Sequence, residues 1–104
     1  MQYYLYAELQ GQPTSPATDI YAVGNLMYEM LTGRRTFEGD TPVAIAMQHV
    51  HDQPIPPSQL NPAVSPALEE IILRCLEKAP EKRYSDGNQL ARALEIFGKA
   101  AGFS

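Results

Sequence analysis

The sequence predicts an all-α fold of four main helices joined by irregular segments, and three observations predict it. Apolar residues recur at helical spacing in four separate stretches. Ahead of three of them stands a helix-start signal: Thr41 before Pro42, Ser65 before Pro66, and Asp86 three residues before Gln89. No stretch alternates convincingly at the period of a strand.

The first helix lies in "ATDIYAVGNLMYEMLTGRRTFEGD". Ile20, Val23, Met27, Met30 and Leu31 repeat at helical spacing, and Ala22, Leu26 and Tyr28 fill much of the other side. Only Asn25, Glu29 and Thr32 interrupt the apolar surface. Gly33 is placed to take the left-handed conformation that ends a helix, with Arg34 and Arg35 near the last carbonyls. A helix apolar on nearly all sides must be wrapped by other elements, which points to a larger body.

A second, short helix is expected from about Pro42 to His51, with Val43, Ile45, Ala46, Met47 and Val50 as its apolar members. "DQPIPPSQLNPAVSP" then carries five prolines. They forbid a continuous helix, and the segment reads as an extended surface connection anchored by Ile55, Leu60 and Val64. The third helix has a one-sided stripe of Leu68, Ile71, Ile72, Cys75 and Leu76, runs to about Lys78 and stops before Pro80. Leu90, Ala93, Leu94 and Phe97 form the stripe of the fourth, and "GKAAGFS" reads as a frayed end. The expected organisation is 1–16 as a loop region, 17–98 as the helical body and 99–104 as the tail.

A chain of 104 residues with 44% hydrophobic and 19% charged residues is an ordinary globular composition, and one domain is its natural reading. A net charge of -4, with scattered basic residues, disfavours nucleic acid or an anionic membrane as partner. A nucleic-acid-binding helix bundle is disfavoured by the lack of a basic helix face. No apolar run approaches the length of a membrane span, and the expected compartment is cytoplasmic. Cys75 is the only cysteine and sits inside an apolar-periodic helix. The expectation there is a packed, inert thiol rather than a reactive thiolate.

The search for chemistry returns mainly absences. No glycine-rich phosphate loop is present. His49 and His51 are two residues apart and point to different sides of a helix, so they cannot share a metal; a packed or solvated helix end is expected. Glu69 and Glu70 read as a solvated face, and Ser15, Ser58, Ser65 and Ser85 stand beside turns or caps with no histidine placed to activate one. The residues alone describe a helical globular piece with no cofactor and no evident active site.

Four motifs stand in order: "YLYAE", "DIY" followed by Gly24, "YEMLTGRRTFEGD" and "KAPEKRY". Together they resemble the C-terminal half of the large lobe of bacterial, eukaryotic-like (Hanks-type) serine/threonine protein kinases, from about Tyr3 to Leu94. The resemblance implies that Tyr4, Leu5, Tyr6, Ala7 and Glu8 end the activation segment and form the substrate loop. It implies that Glu8 pairs with Arg83, although on residues alone the two are unrelated surface charges. Asp19 matches the aspartate that accepts hydrogen bonds from the catalytic loop, and Gly24 the glycine one turn later, where the missing side chain permits close approach. Independently of the resemblance, a carboxylate at Asp19 favours the helix dipole.

The family's other chemical parts, a glycine-rich loop over ATP, a strand lysine, H-R-D with its asparagine, and D-F-G for magnesium, precede this region and are not in the chain. Its four aspartates, Asp19, Asp40, Asp52 and Asp86, lie in neither motif. The chain also departs from the family at Tyr6 and Ala7 before Glu8, at Arg35 and Thr36 before Phe37, and at Ala79. The resemblance therefore implies a C-lobe fragment, not catalytic alone. Its partners would be the missing N-terminal part of the domain and, through the parent, protein substrates; ATP and magnesium would belong to the parent. The alternative is a free-standing, non-catalytic remnant that binds a protein partner or self-associates into a homo-oligomer.

Overall fold

A computed structural model describes residues 15–102. Helix α1 spans Pro16–Thr32, α2 Pro42–His51, α3 Pro57–Leu60, α4 Pro66–Cys75 and α5 Gly87–Ala100, with a 3-10 turn at Pro80–Lys82 between α4 and α5. No strand occurs among the described residues. The chain is an all-α assembly in which α1 packs along α4 and also meets α3, α5 and the 3-10 turn.

The starts follow the sequence signals. Thr41 Oγ1 accepts from the Ala44 N–H at 3.0 Å and Ser65 Oγ from the Leu68 N–H at 3.2 Å, each satisfying an N-terminal donor that the helix itself cannot. Asp86 Oδ1 accepts from the Gln89 N–H at 3.0 Å, while the Gln89 side chain accepts from the N–H of Ser85 rather than of Asp86. Gly33 ends α1 at φ 73°, its N–H returning to the Glu29 carbonyl at 2.8 Å.

Three boundaries differ from the expectation. The proline-rich connection contains a one-turn helix, α3, because Pro57 at its first position needs no donor and the Asn61 N–H closes the turn on the Pro57 carbonyl. Helix α4 ends at Cys75 instead of near Lys78. The Leu76 N–H is shared between the Ile72 and Leu73 carbonyls, and the tightened turn leaves the α-helical path. Helix α5 continues through Lys99 and Ala100, inside the stretch read from the sequence as a tail, and a Lys99 to Glu95 pair of 3.2 Å lies on its last turns.

The core has two clusters. Tyr21, Tyr28, Ile72 and Leu76 form one, with Leu31, Val50, Leu60 and Leu68 packed against it. Ile20, Ile71, Cys75, Tyr84 and Leu90 form the other, joined by Ala93, Leu94 and Phe97, and Met27 touches both. The stripes read for α4 and α5 are thus the faces that the fold buries. Helix α2 buries Ile45 and Ala46, but Val43 and Met47 stay exposed and His49 is buried in their stead.

Candidate functional site

Helix α1 presents three faces. At 100° per residue, Asp19, Val23, Leu26 and Met30 fall within roughly 60° of one another. All four are exposed, Leu26 by 53% and Met30 by 75%. The helix expected to have almost no solvent face thus carries an apolar stripe in the open, headed by a carboxylate. A packed core normally removes such side chains from water, each fully buried Leu or Met stabilising by roughly 1.5–3 kcal/mol.

The opposite face is polar and aromatic. Asn25 Nδ2 donates to the Tyr21 carbonyl at 2.9 Å, Thr32 Oγ1 to the Tyr28 carbonyl at 2.8 Å, and Tyr28 Oη to the Ile55 carbonyl at 2.6 Å. Asn61 Nδ2 donates to the Leu31 carbonyl at 2.8 Å, so the proline-rich connection is tied to α1 at two points. Asn25, read as an interruption of an apolar surface, is buried.

Gly24 lies on a third face. A Cβ there would stand 2.6 Å from Cys75 Cβ and 3.1 Å from a Leu76 methyl, so the glycine lets α1 close on α4. Asp19 and Gly24, though one turn apart in sequence, point apart, the first outward and the second into the α1–α4 contact. Burial pushes the Cys75 thiol up to about 12, outweighing the nearby Arg74 and Arg83 charges. A thiol held that high is protonated and unreactive at neutral pH.

Arg83 is 4% exposed. Its Nε donates to the Glu77 carbonyl at 2.7 Å, Nη1 to the Ala17 carbonyl at 3.1 Å and Nη2 to the Lys78 carbonyl at 3.2 Å, and the guanidinium lies 4.7 Å over the Tyr21 ring. One planar cation therefore ties the segment after α4 to the first turn of α1, which the compact ammonium of a lysine cannot do. The proposed partner Glu8, and with it Tyr4, Leu5, Tyr6 and Ala7, lie outside the described residues.

Of the two outcomes expected for the histidines, packed or solvated, His49 takes the first. Its Nδ1 shares a 2.6 Å hydrogen bond with Tyr21 Oη, the Phe37 ring meets it edge-on at 4.9 Å, and Lys78 Nζ donates to its carbonyl at 2.7 Å. Burial, reinforced by the Lys78 charge, lowers His49 to about 4, so the imidazole is neutral. Burial also lowers Lys78 to about 8, with Asp52 opposing the shift. The signal was present, since position 49 lies one turn beyond Ile45 and Ala46 on the buried face. His51, by contrast, is exposed.

Among the described residues, no three His, Cys, Asp or Glu side chains converge as metal ligands, and no helix is long and apolar enough to cross a membrane.

Comparison with known proteins gives a consistent family. The model of the protein kinase domain matches residues 2–96. A probable serine/threonine-protein kinase of Clostridium acetobutylicum is 46% identical over 93 residues, covering 88% of this chain and 14% of that protein. A probable serine/threonine-protein kinase of Corynebacterium efficiens is 36% identical over 104 residues, 96% of this chain and 16% of its own length. Serine/threonine-protein kinase PknB of Mycolicibacterium smegmatis is 38% identical over 93 residues, 89% of this chain and 15% of that protein. The chain therefore spans only about one-seventh of the length of these bacterial relatives.

Proposed function

Because the chain belongs to the protein kinase domain family, as a fragment of such a domain, we propose that it is the structural half of a catalytic lobe. On this reading it supports the catalytic loop and peptide-substrate groove of a serine/threonine kinase and transfers no phosphate alone. The observation that carries the proposal is the exposed stripe Asp19, Val23, Leu26 and Met30 on α1. An apolar row headed by an acceptor of backbone hydrogen bonds fits a surface completed by the preceding part of the domain.

ATP and magnesium would belong to that preceding part, where the family carries its glycine-rich loop, strand lysine, H-R-D and D-F-G. Here the chain's own groups act as support. Gly24 sets the α1–α4 distance, Arg83 joins the first turn of α1 to the segment after α4, and Asp19 stands exposed in the first turn of α1, where the resemblance places the anchor of the catalytic loop. The substrate loop, Tyr4 to Glu8, would then hang from this frame through a Glu8–Arg83 pair. The compartment that suits such a signalling role is the cytoplasm.

The test uses Leu26→Lys and Met30→Lys in both the 104-residue chain and the intact kinase. In the chain alone these positions face water, so thermal stability should change by less than about 0.5 kcal/mol. In the intact kinase they would bury a charge, and both stability and phosphotransfer should fall steeply. Full activity and stability of the intact variants would overturn the proposal.

A second reading rests on the same stripe. A free-standing remnant would cover it by self-association or with a protein partner. Sedimentation equilibrium tests the self-association: a dimer of the isolated chain that Leu26→Lys dissociates supports it, and a monomer removes it, leaving a protein partner or the preceding part of the domain to cover the stripe.

A further inference from the structure

Among the described residues, α2 is joined to the rest differently from the other helices. Helices α3, α4 and α5 each pair closely with α1, and α4 also with α3 and α5, whereas α2 has no such close backbone pairing. It is flanked by irregular chain at 33–41 and 52–56. The preceding loop packs on it: a Cβ on Gly39 would meet Ala44 Cβ and the Ile45 nitrogen at 3.1 Å, and the buried Phe37 ring packs edge-on against His49. Both ends of this stretch are fixed to the body. Gly33 closes α1 in the left-handed conformation, and Tyr28 Oη holds the Ile55 carbonyl beyond the helix.

Between those fixed ends, polar ties converge on one residue. Tyr21 of α1 reaches the His49 ring, and Lys78, after α4, reaches the His49 carbonyl while its ammonium lies 4.8 Å over the Phe37 ring. Ile45, Ala46 and Val50 supply the apolar part of the seat. We propose that residues 37–51 form one arm, the Phe37 loop with α2, which opens as a unit from the α1–α4–α5 core and is latched shut at His49. The part of the core around Cys75 keeps its packing when the arm opens, because the Gly24–Cys75 contact, the Arg83 ties and the cluster around Cys75 involve no residue of 37–51, whereas Val50 leaves the Tyr21 cluster. Opening uncovers the Tyr21 and Leu76 side of the core and gives the lobe a motion of its own, independent of whether the first or second functional reading holds.

Amide hydrogen exchange at neutral pH tests the arm. Amides of residues 43–51 should exchange together, and faster than those of α1 and α4, as a unit that opens below the global transition. Tyr21→Phe removes only the hydroxyl, and should speed exchange in 37–51 by about fivefold while α1, α4 and α5 keep their rates. Lys78→Met, which removes the second tie but keeps an apolar stem, should do the same even if the first variant folds poorly. Equal acceleration in every helix would show that α2 belongs to the global cooperative unit and overturn the arm. Unchanged exchange of 43–51 in both variants would overturn the latch.

Discussion

Gly24 of α1 and Cys75 of α4 meet so closely that a Cβ on the glycine would lie 2.6 Å from the Cys75 Cβ. This contact sets the spacing of the two helices at the centre of the fold. Gly24→Ala should destabilise the chain by about 1–3 kcal/mol despite the better helix propensity of alanine, because the crowding is against a Cβ and not a flexible tip. Cys75→Gly, which deletes that Cβ, should couple favourably with Gly24→Ala, so that the double variant loses less than the sum; Cys75→Ser should not. Urea midpoints of the parent, the three single and the two double variants read the outcome.

Cys75 should report global unfolding. Its thiol is fully buried and pushed up to about 12, so native labelling by a thiol reagent should be slow at pH 8 and become fast once denaturant unfolds the chain. The same raised value means that the unfolded thiol ionises first. Stability is then lost as pH rises from about 9 towards about 12. Native labelling as rapid as that of a free thiol would contradict the packing described.

His49 should make the fold acid-sensitive well above the carboxylate range. Its folded value, lowered to about 4 from 6.5, means that the unfolded chain binds the proton more readily. Stability should therefore fall as pH drops from about 6.5 to about 4, with a slope of at most about 1.4 kcal/mol per pH unit from this group. A protonated ring carries N–H at both nitrogens, so Tyr21 Oη must then turn to accept. In His49→Gln the slope in this window should vanish, which chemical denaturation at stepped pH would reveal.

Arg83→Lys should cost at least about 2 kcal/mol although it keeps the charge, since the ammonium cannot span the carbonyls of Glu77, Lys78 and Ala17. Thermal unfolding measures this directly. In a double-mutant cycle, Arg83→Ala and Glu8→Ala should each destabilise, and together by less than their sum; strict additivity removes the proposed pair.

Much of this was decided locally. The caps at Thr41, Ser65 and Asp86, the proline starts, the Gly33 stop and the stripes of α4 and α5 follow from hydrogen-bonding capacity and 3.6-residue periodicity, which neighbouring residues set among themselves. The ordered motifs likewise identified the kinase lobe, because a family is written in residue identities. Tertiary structure decided what depends on partners distant in the chain. Periodicity counted α1 as apolar on nearly every side, and only the placement of α4, α5 and the proline-rich connection determined which side stayed open. It left His49 as either a packed or a solvated helix end, and only Tyr21, Phe37 and Lys78, brought in from three other segments, made a buried neutral imidazole of it. Such burial is a property of the assembled neighbourhood, since the cost of removing a polar group from water is met by hydrogen bonds that no local stretch contains.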